Sequence, residues 1–361
     1  MRFSSSVVFF VCLGIATFEV HAVEFGVFGD VNINSKDTTS DNHHQSFALG
    51  GLDLFASQDV SDNSKAFIEM VFEDVGGGYI VDIERLWIKY TFKNAFHISG
   101  GRFHTPMGFW NKNFHHGTLI QDTATRPFFL EFEDGDTGIL PMHTVGLRLG
   151  GREAAGNGLF KYDLLIGNSS SLDTTTDNSG NTITREILVN NVTDPQDNSS
   201  YSMALSYEYV PAGFEYGLFA MQNNYTDINA ARAGKRIIEQ SLYSTDLRFT
   251  SKYFTLLSEA FYIENTNDLT ETTNYITAWY AQIGLRLSQK IKLVMRQSHL
   301  EYDSDDLYIK TLLADIAANG KTDRTVMAVR FDIDESSALK VEFGENKNDS
   351  KILAQWSFLL F

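Results

Sequence analysis

The chain has 361 residues, and its 46 Asp and Glu against 29 Lys and Arg give a formal charge of −17, which makes nucleic acid a poor partner. Its one cysteine, Cys12, excludes a disulfide framework. After the first residues, no run approaches the roughly 20 apolar residues that a membrane helix needs.

Residues 1–22 read as a secretory signal peptide: Arg2 gives a charged start, 7–15 an apolar core, and Val20-His21-Ala22 a small-residue cleavage pattern. The mature chain, 23–361, is then about 339 residues without cysteine, which calls for a large self-sufficient fold. Export, 28 Phe and 15 Tyr beside only 5 Pro, an acid excess and no membrane helix together point to an outer-membrane β-barrel; a soluble secreted β-protein is the alternative.

From Val23 onward, strand-like runs follow one another, many alternating apolar and polar. Ala66, Ile68, Met70 and Phe72 oppose Lys65, Glu69 and Glu73. Leu86, Ile88, Tyr90 and Phe92 oppose Arg85 and Lys89. Tyr201, Met203, Leu205, Tyr207 and Tyr209 oppose Ser202, Ser206 and Glu208, and Met327, Val329, Phe331 and Ile333 oppose Arg330 and Asp332. About sixteen such runs are predicted, joined by connections that alternate long and short, as the outer loops and periplasmic turns of a membrane barrel do. The polar connection 168–200 reads as solvent-exposed, and 308–318 as a short helix on a loop. The last run has apolar residues in both parities, with Leu359 and Phe361 in one and Trp356, Phe358 and Leu360 in the other, so its register stays open.

One segment breaks the pattern. Residues 100–146 lack strand alternation, and loops this long inside a compact domain are usually functional or disordered. Phe103, Phe109, Trp110, Phe114, Phe128, Phe129 and Phe132 argue for packing over disorder. Three Pro and several Gly predict a fixed irregular path, which we read as a loop, about 104–141, folded into the barrel mouth and narrowing it. The aromatic side chains either pin that loop to the inner wall or form a slide for sugars.

The loop carries Glu131, Glu133, Asp134 and Asp136, the expected acidic side of a constriction. Strand parity turns Arg85, Arg148, Arg248, Arg286, Arg296 and Arg330 toward the lumen, with Lys89 and Lys292, because charge on the lipid face costs about 2–4 kcal/mol near the midplane. If the two sets face each other they set a transverse field; otherwise the acids sit solvated at the rim, and the arginines pair with wall acids such as Asp246 or Asp332. The loop also holds His104, His115, His116 and His143. Imidazole and carboxylate suit zinc, copper or nickel, but the spacing matches no defined metal motif. Hydrogen bonding within the loop, or titration near pH ~6.5, accounts for these histidines without a metal, and no metal or cofactor is expected. No nucleophile elbow, phosphate loop or His-Glu-x-x-His pattern is present, and Ser298 and His299, adjacent on one strand, face opposite ways, so no enzyme is expected.

These residues resemble those of Gram-negative outer-membrane porins. The leader runs directly into strands, the last strand closes on Phe361, and the third long connection is the longest. Glu131-Phe132-Glu133-Asp134-Gly135-Asp136-Thr137 is similar to the Pro-Glu-Phe-Gly-Gly-Asp-Thr stretch of general porins, without the Pro and one Gly. Gly101-Arg102-Phe103-His104-Thr105-Pro106 resembles the Gly-x-Phe-x-x-Pro segment of the phosphate-selective porin O and P group, but the acid excess does not carry phosphate selectivity with it. The resemblance implies an all-β fold, a sixteen-stranded transmembrane antiparallel barrel with the third loop in the pore. It further implies a homotrimer in the bacterial outer membrane, in contact with its lipid, passing ions and small hydrophilic solutes passively. The alternatives are a substrate-specific channel with a solute or anion site at the constriction loop, and a nearly closed receptor or adhesion barrel.

Overall fold

In a computed structural model, the structure describes residues 22–37, 44–74, 78–114, 117–131, 138–176, 182–188, 199–229, 234–313, 320–346 and 350–361. The leader, apart from Ala22, lies outside them. The first seven strands are β1 (Glu24–Asp37), β2 (His44–Ser61), β3 (Ser64–Asp74), β4 (Tyr79–Lys93), β5 (Phe96–His104), β6 (His143–Ala155) and β7 (Gly158–Asn168). A short hairpin follows, β8 (Ser171–Thr176) and β9 (Thr182–Leu188). The chain then forms β10 (Ser199–Tyr209), β11 (Phe214–Asp227), β12 (Arg236–Thr250), β13 (Phe254–Asn267) and β14 (Thr272–Arg286). It ends with β15 (Ile291–Tyr302), β16 (Lys321–Asp334), β17 (Ser337–Asn346) and β18 (Ser350–Leu360).

The barrel strands pair antiparallel in chain order; β8 and β9 pair antiparallel only with each other, so that β7 pairs with β10, and β1 pairs with β18. The result is a closed 16-stranded barrel with no free edge. Each of the sixteen runs read from the sequence is one of its strands. The connections 62–63, 94–95, 156–157, 210–213, 251–253, 287–290 and 335–336 are tight and lie at the end where β1 begins and β18 ends. Gly213 closes one of these turns at φ 63°, behind the Pro211 turn, and accepts from the Thr250 N–H at 2.8 Å. The longer connections all lie at the opposite end. Among the described residues no helix is long and apolar enough to cross a membrane.

Period-2 alternation sorts side chains between two faces. Leu86, Ile88, Leu147, Met203, Leu218, Met327, Val341 and Ile352 are all exposed on the outer face. Exposed aromatic side chains gather toward its two ends, among them Phe92, Tyr209 and Tyr253 near the short turns and Tyr79, Tyr201 and Tyr275 near the long connections. In β18, Ile352, Trp356 and Leu360 are exposed while Leu353, Gln355 and Ser357 are buried, which settles the register of the last strand.

The described residues of the connection 169–198, 169–176 and 182–188, depart from the sequence expectation of a solvated loop. Its β8 runs beside the end of β11, pairing Ser171 with Thr226 and Leu172 with Asp227. Leu172 and Ile187 are buried in one cluster with Tyr225, Tyr308 and Ile309. Ser and Thr hydroxyls make the burial affordable by finding partners: Ser169 Oγ donates to Asn223 Oδ1 at 2.8 Å, and Thr174 Oγ1 donates to Asp227. The loop helix expected in 308–318 is present as α2 (Leu307–Leu312), capped by Asp306, whose carboxylate accepts from the Tyr308 N–H. Residues 314–319 lie outside the described residues.

Candidate functional site

Among its described residues, the connection 105–142 contains a single helical turn, α1 (Trp110–Asn113), and a 3-10 turn, Phe128–Leu130; the other described residues are irregular. It lies against the barrel face opposite the exposed apolar one. Trp110 is wholly buried, edge-on to Tyr280 of β14 with centroids 5.9 Å apart, and its backbone N–H donates to Glu259 Oε1 of β13 at 2.7 Å. Phe129 is likewise buried against Phe261 and Tyr280. Gly108 permits this approach: its φ is 63°, and a Cβ there would run into the Glu259 carboxylate. Phe109, Trp110, Phe128 and Phe129 therefore pin the segment to the wall.

Charged wall residues hold the backbone of 118–126. Arg296 of β15 donates to Thr123 Oγ1 at 2.9 Å, to the Thr125 carbonyl at 2.8 Å and to the Arg126 carbonyl at 3.0 Å. Glu342 of β17 accepts from the N–H groups of Ala124 and Thr125 at 2.9 and 3.1 Å. Arg330 of β16 donates to the carbonyls of Leu119 and Gln121 at 2.6 and 2.7 Å, and to Asp332 at 2.7 Å. Lys340 donates to the Thr118 carbonyl, and Lys292 pairs with Asp122 at 2.7 Å. An irregular segment has no ladder of its own, and these groups satisfy the amides that burial would otherwise leave bare.

Of the other predicted arginines, Arg85, Arg148 and Arg248 line the arc of wall that the described main chain of the segment leaves uncovered. Arg85 pairs with Glu69 and lies over the Phe67 ring; Arg148 pairs with Asp163 at 2.7 Å; Arg248 is 3.9 Å from Glu215 and lies over the Phe109 ring. Their side chains keep 28, 30 and 35% of their surface exposed, against none for Arg296. Lys112 from α1 and Lys161 from β7 join this basic arc; Lys161 bridges Glu208 and Glu215 at 2.8 and 2.9 Å. Two open cavities of about 170 and 190 Å³ lie along it, both lined by Lys112 and Arg148, the first also by Arg85 and the second also by Lys161. Arg286 is exposed at the short-turn end of β14, away from the cavities.

Of the predicted acids, Glu131 is half-buried after the 3-10 turn, while Glu133, Asp134 and Asp136 lie outside the described residues. His115 and His116 also lie outside them; His104 and His143 stand side by side as register partners. Ser298 is buried on the inner face, whereas His299 packs with Trp279 and has its Nδ1 2.7 Å from Asp323. Glu259, Glu342 and Lys340 were not singled out from the sequence. For the last two the signal was present, since Leu339, Val341 and Phe343 alternate with them.

No protein-family model and no curated protein matches this sequence. Solved structures do match. The outer-membrane channel DcaP of Acinetobacter baumannii is 11% identical at a TM-score of 0.60, with 96% of this chain and 99% of that one covered. The fold is that of outer-membrane porins. The anion-selective porin of Comamonas acidovorans is also 11% identical, at a TM-score of 0.59 over 94% of this chain and 98% of that one. OmpT of Vibrio cholerae, in a structure described as a trimer form, is 9% identical at 0.56, over 95% and 100%.

Proposed function

We propose that this chain is an outer-membrane porin, a water-filled channel through which ions and small polar solutes diffuse passively. Residues 1–22 direct export, 23–361 form the barrel, and the barrel works as a homotrimer set in outer-membrane lipid. The segment 104–141 narrows the passage. The observation that carries this reading is the division of the closed barrel into an apolar exposed outer face and a charged inner face, one arc of which the described residues of the segment cover.

The test is single-channel current of the refolded mature chain in a planar bilayer under a salt gradient. Steady, large conductance supports the channel. A correctly folded, heat-modifiable barrel that carries no current overturns it.

A second reading has its own support. It is supported by Arg85, Lys112, Arg148 and Lys161, which line the two cavities and together suit a site selective for anionic solutes. Small carboxylates that block conductance at saturable concentrations would favour this reading; block that is linear and unselective would remove it.

A further inference from the structure

The root of the long connection is closed by two histidines and a carboxylate. His104 ends β5 and His143 begins β6; they pair in register with ring centroids 5.2 Å apart. Glu84 meets them because β4 carries a bulge: Glu69 pairs with Arg85, but Met70 pairs with Ile83, so Glu84 is the extra residue. Strict alternation would put Glu84 in the lipid-facing row of Leu86 and Ile88; the bulge withdraws it, and it is wholly buried. Its Oε2 lies 2.5 Å from His143 Nε2, and one ligand atom from each of Glu84, His104 and His143 falls within 4.8 Å of the others. Glu69 Oε2 is 3.8 Å from His104 Nε2.

We propose that Glu84, His104 and His143 bind a borderline divalent cation of the Zn²⁺ class, with Glu69 or water in the fourth position. Metal bonds of about 2.0–2.2 Å place tetrahedral ligand atoms somewhat over 3 Å apart. Small side-chain rotations suffice: the Glu84–His143 contact opens and His104 closes in. Two imidazoles and a carboxylate suit zinc, copper or nickel, whereas calcium and magnesium require oxygen. The cation offsets the cost of burying the carboxylate. The Arg102 guanidinium, which donates to the Glu84 carbonyl at 3.2 Å, holds the affinity below that of a site ringed by anions alone. His104 also lines the cavity of about 170 Å³ beside Arg85 and Lys112. A bound ion ties both ends of 105–142 to β4 and stiffens the segment at its root.

The test uses the untagged, refolded mature chain in metal-free buffer. Calorimetric titration with ZnCl₂ is expected to show one saturable site per chain, and the X-ray absorption spectrum of the zinc-loaded chain to show two imidazoles. Glu84→Gln and His143→Gln should each weaken binding at least about tenfold, while His299→Gln leaves it unchanged. The overturning results are no saturable binding, a spectrum without imidazole, or binding that survives both substitutions. If either variant fails to fold, the wild-type titration and spectrum, together with His104→Gln, still decide.

Discussion

Two arcs of the inner wall use the same residue types for different work. On β15 and β16, Arg296 and Arg330 spend their donors on main-chain carbonyls of the segment, and Arg296 is entirely buried. On β4, β6 and β12, Arg85, Arg148 and Arg248 pair with carboxylates of the wall and stay about one-third exposed. Parity alone puts all five on the inner face. What separates them is whether irregular backbone arrives opposite, because buried amides without a ladder need partners and exposed ones have water. The covered arc is therefore scaffolding, and the uncovered arc keeps its charged side chains partly exposed.

The largest effect that would break this division is expected in the covered arc. Arg296→Met removes donors to four groups of 123–126, the hydroxyls of Thr123 and Thr125 and the carbonyls of Thr125 and Arg126, and leaves those acceptors buried or part-buried, a loss of at least about 3 kcal/mol. Heat-modifiability should shift to lower temperature, and single-channel current should become larger and noisy as the segment leaves the wall. Unchanged, quiet conductance would mean that the segment is held without this arginine. A smaller loss, about 1–3 kcal/mol, is expected from Gly108→Val, since a β-branched residue is strained at φ 63° and its Cβ meets Glu259. Here Gly108→Ala is the informative companion: it should lie between wild type and Val by thermal melting, and an alanine variant as stable as wild type would show that the close approach to Glu259 is not required.

In the uncovered arc, stability and selectivity should part company. Arg148→Gln with Arg248→Gln breaks two partly exposed pairs, each worth roughly 0–1 kcal/mol, so melting changes little. Asp163 and Glu215 remain, and the reversal potential in a salt gradient should move toward cation preference. The same double change with an unmoved reversal potential would place the permeation path elsewhere.

How much of this was legible in the sequence follows from the same physics. An apolar outer face and a polar inner one impose a strict period of two, which is why all sixteen barrel strands could be read and why Lys340 and Glu342 were there to be found. The segment 105–142 has no period, and its key contact, Trp110 with Glu259, joins residues 149 apart, so no local pattern announces it. The β8–β9 hairpin was missed because its hydroxyl-rich sequence reads as solvated until Asn223 and Asp227 supply partners. Glu84 shows the converse failure. Alternation assigns it to lipid, and only a bulge, invisible in composition, brings it to His104 and His143.

The smallest expected effect lies at the barrel mouth, where α2 holds the far end of the segment through the Tyr308 hydroxyl, which donates to the Ile139 carbonyl at 2.8 Å. Asp306 caps α2. Burial pushes its carboxyl up to about 6, against the opposing hydrogen bonds from Asn265 and the Tyr308 N–H. The folded state therefore holds this proton more tightly than an unfolded loop, whose carboxyl titrates near pH ~4. Its stabilising contribution is complete below that pH, falls as pH rises toward about 6, and is flat above. Amide exchange in α2, corrected for intrinsic rates, should show more protection at pH 5 than at pH 7. Asp306→Asn keeps a competent cap and removes the proton, so its protection should not vary over this range. A wild-type profile as flat as that of the asparagine variant would mean that the cap carboxylate is solvated, and that the covered arc ends below α2 rather than continuing into it.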